Sequence, residues 1–205
     1  MEPIKHIWFD FSDTIASLTK EHAVFLFQTY AEAVGKPASP ELQREFESAR
    51  KTYKSYASVF TNGLGLPAGY WSKKIQAAGA ERFYGLKAAN IPEVLDVLRQ
   101  KCPLSIFSNI QMGTLLPALG IDRLWFRHFL SSADVKNPKP ALDGFLKAVE
   151  LSELPAENML FVGDDLAKDL APAKEVGMQT GLMWSESPEA DYSFKKFEDI
   201  LTLFP

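Results

Sequence analysis

A short apolar segment near the amino terminus ends abruptly at a carboxylate, and this feature constrains the fold more than any other. Residues 4–9 are mostly apolar and β-prone, Asp10 follows them, and a turn-forming Ser-Asp-Thr sequence comes next. A buried strand of a parallel sheet has this pattern, which would place Asp10 at the carboxyl end of the strand. In open α/β sheets ligands bind at that edge. The alternative is that Asp10 merely caps the next helix, since Asp is a good capping residue.

The composition sets the class of protein. The chain has 205 residues, of which 46% are hydrophobic, and this suits one domain or a core domain with a smaller insert. A net charge of −4 argues against a nucleic-acid partner or an anionic membrane surface. The single cysteine, Cys102, excludes an internal disulfide and fits a reducing compartment. With neither a signal peptide nor a membrane-spanning stretch in the sequence, we expect a cytoplasmic protein. The sequence does not determine its oligomeric state.

The residues after Thr14 have a helical pattern. Apolar residues recur at helical spacing over about 18–34, a polar helix is predicted over 41–58, and a third helix over 70–80. A glycine-rich and proline-containing loop at 62–67 separates the last two. No convincing strand is present over roughly 16–90, so these residues predict a helical subdomain inserted between strands of a sheet.

From Ile91 onward, helical and strand patterns alternate. Strands are predicted at 104–107, 129–131, 159–162 and 180–183, and helices at 93–100, 114–119, 141–150 and 168–176. Such alternation is typical of an α/β fold with a doubly wound parallel sheet. We therefore predict a core formed by residues 1–15 and 91–205, with residues 16–90 as the helical insert.

Polar side chains follow four of the predicted strands, directly or in the next loop. They are Asp10, Ser108, Lys139, Asp164, Asp165 and Asp169. Each alone has an ordinary structural explanation: Ser108 could bond to backbone at a strand end, and Lys139 could be a solvated loop residue. The carboxyl ends of parallel strands meet at one edge of a sheet, however, so the whole set is expected to converge there.

The chemistry of this set indicates phosphoryl transfer. Converging carboxylates repel one another, so Asp10 and Asp164 at close range imply either a raised pKa or a bound cation. Oxygen ligands with no His or Cys among them favour Mg²⁺, which commonly takes one or two carboxylates together with substrate phosphate. Lys139 adds a positive charge for phosphate. A carboxylate in such a site can attack phosphorus and form an aspartyl-phosphate.

On these residues the chain resembles the haloacid dehalogenase (HAD) superfamily of aspartate-nucleophile hydrolases, over essentially its whole length. The matching segments are Asp-Phe-Ser-Asp-Thr at 10–14, Ser108 after its strand, Lys-Pro-Ala-Leu-Asp-Gly-Phe at 139–145, and Gly-Asp-Asp-Leu-Ala-Lys-Asp at 163–169. The helical stretch is similar to the cap of the phosphoglycolate-phosphatase-like and dehalogenase-like branch. The resemblance implies a Rossmann-like core with an inserted α-helical cap, acting on a small phosphorylated substrate.

The resemblance also implies roles for individual residues. Asp10 would be the nucleophile, Lys139 would stabilise the nucleophile and the transferred group, and Ser108 would hydrogen-bond the phosphoryl group. Thr14 and Asn109 are further candidates for substrate binding. The implied Mg²⁺ ligands are Asp10, the Ser12 carbonyl, Asp164 and Asp169, the last directly or through water.

The first motif departs from the family pattern at two positions. Ser12 stands where family phosphatases carry a second aspartate that acts as general acid and base, and Asp13 stands where they carry glycine. Losing a general acid/base typically costs about 10²- to 10⁴-fold in rate. We expect that Asp10 can be phosphorylated but that leaving-group protonation and hydrolysis of the intermediate are impaired, unless a loop shift lets Asp13 substitute.

Other functions in the same superfamily fit less well or stay open. Dehalogenation is disfavoured, because dehalogenases work without a metal and lose the pair that Gly163 and Asp164 keep here. Phosphonate cleavage needs a Schiff-base lysine from the cap, for which the possible sources are Lys51, Lys54, Lys73 and Lys74. A non-catalytic or nearly inactive protein that binds a phosphorylated ligand or a partner protein is the alternative from a different class.

Overall fold

The computed structural model describes residues 2–53, 55–110, 112 and 114–204. Lys54, one of the candidate Schiff-base lysines, therefore lies outside the described residues. The chain divides into two compact units, one made of Met1–Ser17 with Gly85–Pro205 and the other of Leu18–Tyr84. Within the described residues, no helix is both long enough and apolar enough to cross a membrane.

The first unit is built on a six-stranded sheet. In chain order the strands of the protein are β1 His6–Phe9, β2 Ala16–Leu18, β3 Tyr84–Leu86, β4 Leu104–Phe107, β5 Phe126–Leu130, β6 Met159–Gly163, β7 Gln179–Met183 and β8 Tyr192–Phe194. The large sheet has the order β5-β4-β1-β6-β7-β8, and its described pairs are parallel. From β1 the chain moves outward through β4 and β5 on one side, and then through β6, β7 and β8 on the other side. This confirms the predicted α/β fold with a doubly wound parallel sheet.

Strand β1 lies at the centre of this sheet. Ile7 aligns with Leu104 of β4 on one side and with Leu160 of β6 on the other. All four residues of β1 are buried, as expected for a parallel strand covered on both faces. Asp10, the next residue, is thereby delivered to the carboxyl edge between two neighbouring strands.

Helices alternate with the strands along the chain, and one helix of the first unit packs unusually close to the sheet. The helices are α1 Lys20–Val34, α2 Pro40–Tyr53, α3 Tyr56–Ser58, α4 Tyr70–Ala77, α5 Ile91–Leu98, α6 Leu115–Ala118, α7 Asp143–Ser152 and α8 Ala171–Glu175. A Cβ added to Gly144 in α7 would lie 1.9 Å from Cζ of Phe107, so only glycine permits this approach. Phe145 then packs edge-on against Phe107 and Phe161, at centroid distances of 5.2 and 5.0 Å.

The second unit is mainly helical and has its own core. That core contains Leu26, Tyr30, Leu42, Phe46, Val59, Phe60 and Trp71. Helix α1 begins after Thr19, whose side chain accepts from the His22 N–H, and ends at Gly35 with φ of 65°. A capped start and a left-handed glycine at the end are the features that fix a helix of this length.

The structure corrects several predicted elements. The expectation of no strand over 16–90 was wrong at both ends of that range, since β2 and β3 form a two-stranded sheet. The single helix predicted over 41–58 is two helices, α2 and α3, and part of the predicted loop at 62–67 belongs to a π-helical turn, Val59–Gly63. The helix predicted over 168–176 begins as a second π-helical turn, Leu166–Leu170, before α8.

Candidate functional site

The carboxyl edge of the sheet places Asp10, Asp164 and Lys139 together. Asp10 follows β1, and its N–H donates to the Val162 carbonyl at 2.8 Å, continuing the ladder with β6. Asp164 is the first residue after β6. Lys139 comes from the loop between β5 and α7. Two adjacent strands and one long connection therefore supply the charged groups of the site.

Lys139 donates to two carboxylates inside the protein. Its Nζ lies 2.6 Å from Asp10 Oδ1 and 2.6 Å from Asp169 Oδ1. The lysine is buried, and its Nζ lies 5.2 and 5.4 Å from the ring centroids of Phe107 and Phe161. Burial opposes the charged form, but the two carboxylates outweigh it and raise the pKa of Lys139 above its ordinary value. The ammonium is therefore charged at neutral pH.

Three carboxylates form a group that could hold a metal ion. Asp10, Asp164 and Asp169 each offer an oxygen, and these oxygens all lie within 4.8 Å of one another. Burial raises the pKa of Asp10, Lys139 opposes this, and Asp169 adds to it. Burial and then Asp169 raise the pKa of Asp164 as well. Three acids facing one ammonium leave excess negative charge, and hard oxygen donors of this kind fit a divalent cation such as Mg²⁺.

Thr14 connects two of these acids. Its Oγ1 lies 3.1 Å from Asp164 Oδ1 and 3.4 Å from Asp10 Oδ2, so its proton can be donated to either carboxylate. The residue is fully buried. The structure therefore brings the Thr14 hydroxyl, predicted to bind substrate, onto the carboxylates themselves.

Ser108 carries a hydroxyl that is buried without a partner. Its backbone N–H donates to the Leu130 carbonyl at 3.0 Å, which fixes the residue beyond the end of β4. Its Oγ has no hydrogen-bond partner within the described part of the chain. Burying a hydroxyl without a hydrogen-bond partner costs free energy. A bound ligand that hydrogen-bonds to Ser108 Oγ would remove this cost.

The Asn109 carboxamide hydrogen-bonds both the carbonyl and the N–H of Lys139. Its Nδ2 donates to the Lys139 carbonyl at 3.0 Å, and its Oδ1 accepts from the Lys139 N–H at 2.9 Å. The carboxamide predicted to bind substrate is thus joined to the lysine of the site. Its position next to Ser108 gave no indication of this contact.

The two unusual residues of the first motif lie differently in the loop. Asp13 adopts a left-handed conformation, with φ of 61°, that glycine adopts readily and Asp tolerates better than most residues. Its carboxylate is exposed and accepts from Ser17 Oγ at 2.7 Å. Ser12 is partly buried and forms an isolated bridge with Ala16. The Asp13 carboxylate is therefore held by a serine of the next strand, β2.

Gly163 and Asp165 are neighbours of Asp169 to which sequence reasoning assigned no role. A Cβ added to Gly163 would lie 2.6 Å from Asp169 Cβ. The Asp169 side chain therefore occupies the space that a side chain at position 163 would need. The Asp165 N–H donates to Asp169 Oδ2 at 3.3 Å, and Asp165 Oδ1 accepts from the N–H groups of Ala167 and Lys168. The Gly-Asp pair of the fourth motif was the sequence feature that could have indicated a role for Gly163.

Trp184 is a further neighbour of the site that sequence reasoning missed. Its Nε1 donates to the Thr14 carbonyl at 3.1 Å. It lies 170 residues along the chain from Thr14 and outside every motif, so no local pattern could indicate the contact.

Three of the candidate Schiff-base lysines lie within the described residues, and none of the three is buried. Lys51 and Lys73 are exposed. Lys74 Nζ is 2.8 Å from Glu32 Oε2, and the hydrogen bond to that carboxylate raises the pKa of the lysine. A Schiff-base lysine needs a lowered pKa instead, to be nucleophilic at neutral pH.

Comparisons with known proteins agree with this arrangement. A family model described as a haloacid dehalogenase-like hydrolase matches residues 4–177. Proteins named glyceraldehyde 3-phosphate phosphatase are similar in sequence. The one from Methanocaldococcus jannaschii is 27% identical over 195 residues, covering 86% of this chain and 83% of its own. The one from Pyrococcus furiosus is 25% identical over 226 residues, covering 100% and 92%.

Solved structures show the same fold. A HAD phosphatase from Thermococcus onnurineus superposes with a TM-score of 0.79 at 20% identity, covering 98% of this chain and 97% of that one. A HAD-superfamily hydrolase of subfamily IA from Geobacter sulfurreducens superposes with a TM-score of 0.73 at 23% identity, with coverage of 98% and 97%. At such identities the likeness concerns the fold of the chain.

Proposed function

The chain belongs to the haloacid dehalogenase-like hydrolase family, and on that premise we propose that it is a Mg²⁺-dependent phosphatase of a small phosphorylated metabolite. One observation carries the proposal: the Lys139 ammonium lies 2.6 Å from both Asp10 and Asp169. A buried lysine shared by two acids opposes the rise in the pKa of Asp10 that burial causes, and it leaves positive charge where a phosphoryl group would arrive.

The metal would be held by Asp10, Asp164 and Asp169, with the Ser12 carbonyl as a further ligand. The excess negative charge of the three acids and their oxygen chemistry support this assignment. When bound, Mg²⁺ supplies charge compensation that lets an anionic phosphate approach an anionic nucleophile.

The protein's own residues account for the transfer step. A carboxylate oxygen of Asp10 forms a bond to phosphorus as the ester P–O bond breaks and the electron pair leaves with the alcohol oxygen. Lys139 and the unpaired Ser108 hydroxyl bind the oxygens of the phosphoryl group. Water then attacks phosphorus, releases inorganic phosphate and regenerates the Asp10 carboxylate.

Protonation of the leaving group is the weak step in this scheme. Ser12 replaces the acid, and a serine hydroxyl is a far poorer proton donor than a carboxylic acid. The Asp13 carboxylate is held by Ser17. The departing alcohol oxygen therefore takes its proton from water, and turnover is slow compared with a phosphatase that has the second aspartate.

The sequence relatives suggest which substrate to test first. Because the curated relatives are named glyceraldehyde 3-phosphate phosphatase, we include that three-carbon phosphate among the candidate substrates. The unit Leu18–Tyr84 is proposed as the family's helical cap, which sets the choice of substrate.

A panel of phosphate monoesters that includes glyceraldehyde 3-phosphate tests the proposal. Phosphate release is expected to require Mg²⁺ and to be abolished by Asp10→Asn. The matched control is Asp96→Asn, which removes a half-exposed carboxylate paired with Arg99 on α5. This control is expected to leave activity unchanged. Release that persists in Asp10→Asn would contradict the proposal.

A binding protein without turnover is the second candidate, and the Ser12 substitution favours it. In that case a phosphorylated compound would raise the melting temperature in the presence of Mg²⁺ while no phosphate is released. Phosphonate cleavage predicts something different, namely borohydride trapping of substrate on a lysine of the helical unit. The carboxylate partner of Lys74 argues against this third activity.

A further inference from the structure

Trp184 contacts the loop that follows the proposed nucleophile. Its indole Nε1 donates to the carbonyl of Thr14 at 3.1 Å. Thr14 is fully buried, so its carbonyl has little access to water, and the indole is the partner that the structure provides. This hydrogen bond joins the end of β7 to the first motif.

The consequence of this contact lies in the Thr14 side chain. The Thr14 hydroxyl lies 3.1 Å from Asp164 Oδ1 and 3.4 Å from Asp10 Oδ2. A side chain that spans two acids can do so only if its backbone is held in place. Trp184 holds that backbone at the carbonyl of the same residue.

The orientation of Trp184 is itself fixed by its surroundings. Its φ of 69° is uncommon for a bulky residue, and its backbone N–H donates to the Phe194 carbonyl at 2.7 Å. The ring stacks on Phe197 at a centroid distance of 6.2 Å, and Phe197 stacks on Phe9 at 5.8 Å. Phe9 directly precedes Asp10, so Phe197 links the indole to the strand that carries the nucleophile. An unfavourable backbone conformation of this kind persists only where the surrounding contacts maintain it.

We propose that Trp184 is a positioning residue that acts through Thr14 to hold Asp10 and Asp164 in place for the cation and the phosphoryl group. The effect on turnover rests on the function proposed above, whereas the effect on cation binding can be measured without any substrate. Residues that orient metal ligands typically change metal affinity or activity by about 10- to 100-fold when they are replaced.

The test is Trp184→Phe, which keeps the stacking on Phe197 and removes the N–H donor. We expect kcat to fall about 10-fold with KM changed less than about twofold, and the Kd for Mg²⁺, measured by calorimetry without substrate, to rise about 10-fold. The matched control is Trp8→Phe, which removes the indole donor to Ser152 Oγ at 2.9 Å in the core. Trp125→Phe, at a half-buried ring beside Arg99, is a second control if Trp8→Phe fails to fold.

The double variant Trp184→Phe/Thr14→Val identifies the route. If Trp184 acts through the Thr14 hydroxyl, the double variant matches Thr14→Val alone in both kcat and Mg²⁺ affinity. Effects that add, or a Trp184→Phe protein with the Mg²⁺ affinity of the controls, overturn the inference. If the wild-type protein binds Mg²⁺ but releases no phosphate from any ester, the proposed function fails, and the Mg²⁺ affinities alone decide the inference.

Discussion

Lys139 donates to the carboxylate of Asp10 at 2.6 Å, and both side chains are almost entirely buried. The contact joins the residue after β1 to a loop that lies 129 positions further along the chain. The same ammonium reaches Asp169 at 2.6 Å. One buried cation thus organises acids from the first and fourth motifs.

Replacing Lys139 by methionine should destabilise the protein as well as abolish activity. Removing one partner of a buried ion pair typically costs about 3–5 kcal/mol, because it leaves an uncompensated buried charge. Urea unfolding in the presence of a chelator measures this loss of unfolding free energy. The double variant Lys139→Met/Asp169→Asn should recover part of the loss, since it removes one of the two unpaired charges. A double variant less stable than the single one would show that the ammonium does not hold these acids together.

Changing Ser12 to aspartate should raise phosphatase activity. A carboxyl group at this position restores a general acid/base, and we expect a gain in kcat of at least about 10²-fold. Ser12→Asn is the matched control, since it has nearly the same size and cannot supply the proton. Equal rates in the two variants would mean that water or another group already fills this role.

Two glycine-to-alanine changes should separate an effect on the site from an effect on packing. At Gly163 the new methyl would lie 2.6 Å from Asp169 Cβ, so it displaces a proposed metal ligand, and kcat should fall by about 10²-fold. At Gly181 it would lie 2.8 Å from Phe194 Cε2. That overpacking should cost about 1–3 kcal/mol of stability with kcat retained. Initial rates per folded molecule, together with urea midpoints, distinguish the two. Retained activity in Gly163→Ala would contradict the placement of Asp169.

His6 should make the protein less stable in mild acid. Burial, followed by the charges of His128 and Arg127, lowers the pKa of His6 from 6.5 to about 4. Between these two values the unfolded chain binds a proton that the folded chain does not, so stability falls as pH decreases. The contribution is fully present above pH 6.5, and about 3 kcal/mol of it is lost by pH 4.

His6→Gln tests this linkage. The variant removes the titrating ring while keeping a side chain that can bond to Ser105 Oγ, which lies 2.9 Å from His6 Nε2. Its urea midpoint should change much less between pH 7 and pH 4 than that of the wild-type protein. His128→Gln removes a smaller cause of the lowered pKa of His6, and it should keep most of the pH dependence because burial is the larger cause. An unchanged slope in His6→Gln would assign the acid sensitivity to other groups.

The sequence predicted the centre of the fold well because the pattern there is local. A strand buried on both faces must be apolar throughout, and residues 6–9 are buried in the structure. The alternation after Ile91 predicted the parallel sheet for the same reason. Strand β8 was missed because three residues, Tyr192–Phe194, are too few to show a period. Strands β2 and β3 have the same length and were missed in the same way.

The contacts of the candidate site are less accessible to sequence reasoning. The order of strands implied that the motif residues converge, but it did not specify which groups touch. The carboxamide of Asn109 on the Lys139 backbone and the indole of Trp184 on Thr14 join distant parts of the chain. Neither contact has a spacing or a residue type that a motif could encode. The backbone conformation of Asp13, in contrast, follows from its standing in a turn position that favours glycine.

Trapping the covalent intermediate tests the central claim most directly. The protein would be incubated with Mg²⁺ and a phosphate ester that it hydrolyses, quenched in acid, reduced with borohydride and mapped by mass spectrometry. Phosphorylated aspartate is converted to homoserine by this treatment. We predict homoserine at position 10 in the wild-type protein, and none when Mg²⁺ is removed or in Asp10→Asn. Turnover with modification at another residue, or with none at Asp10, would contradict the account.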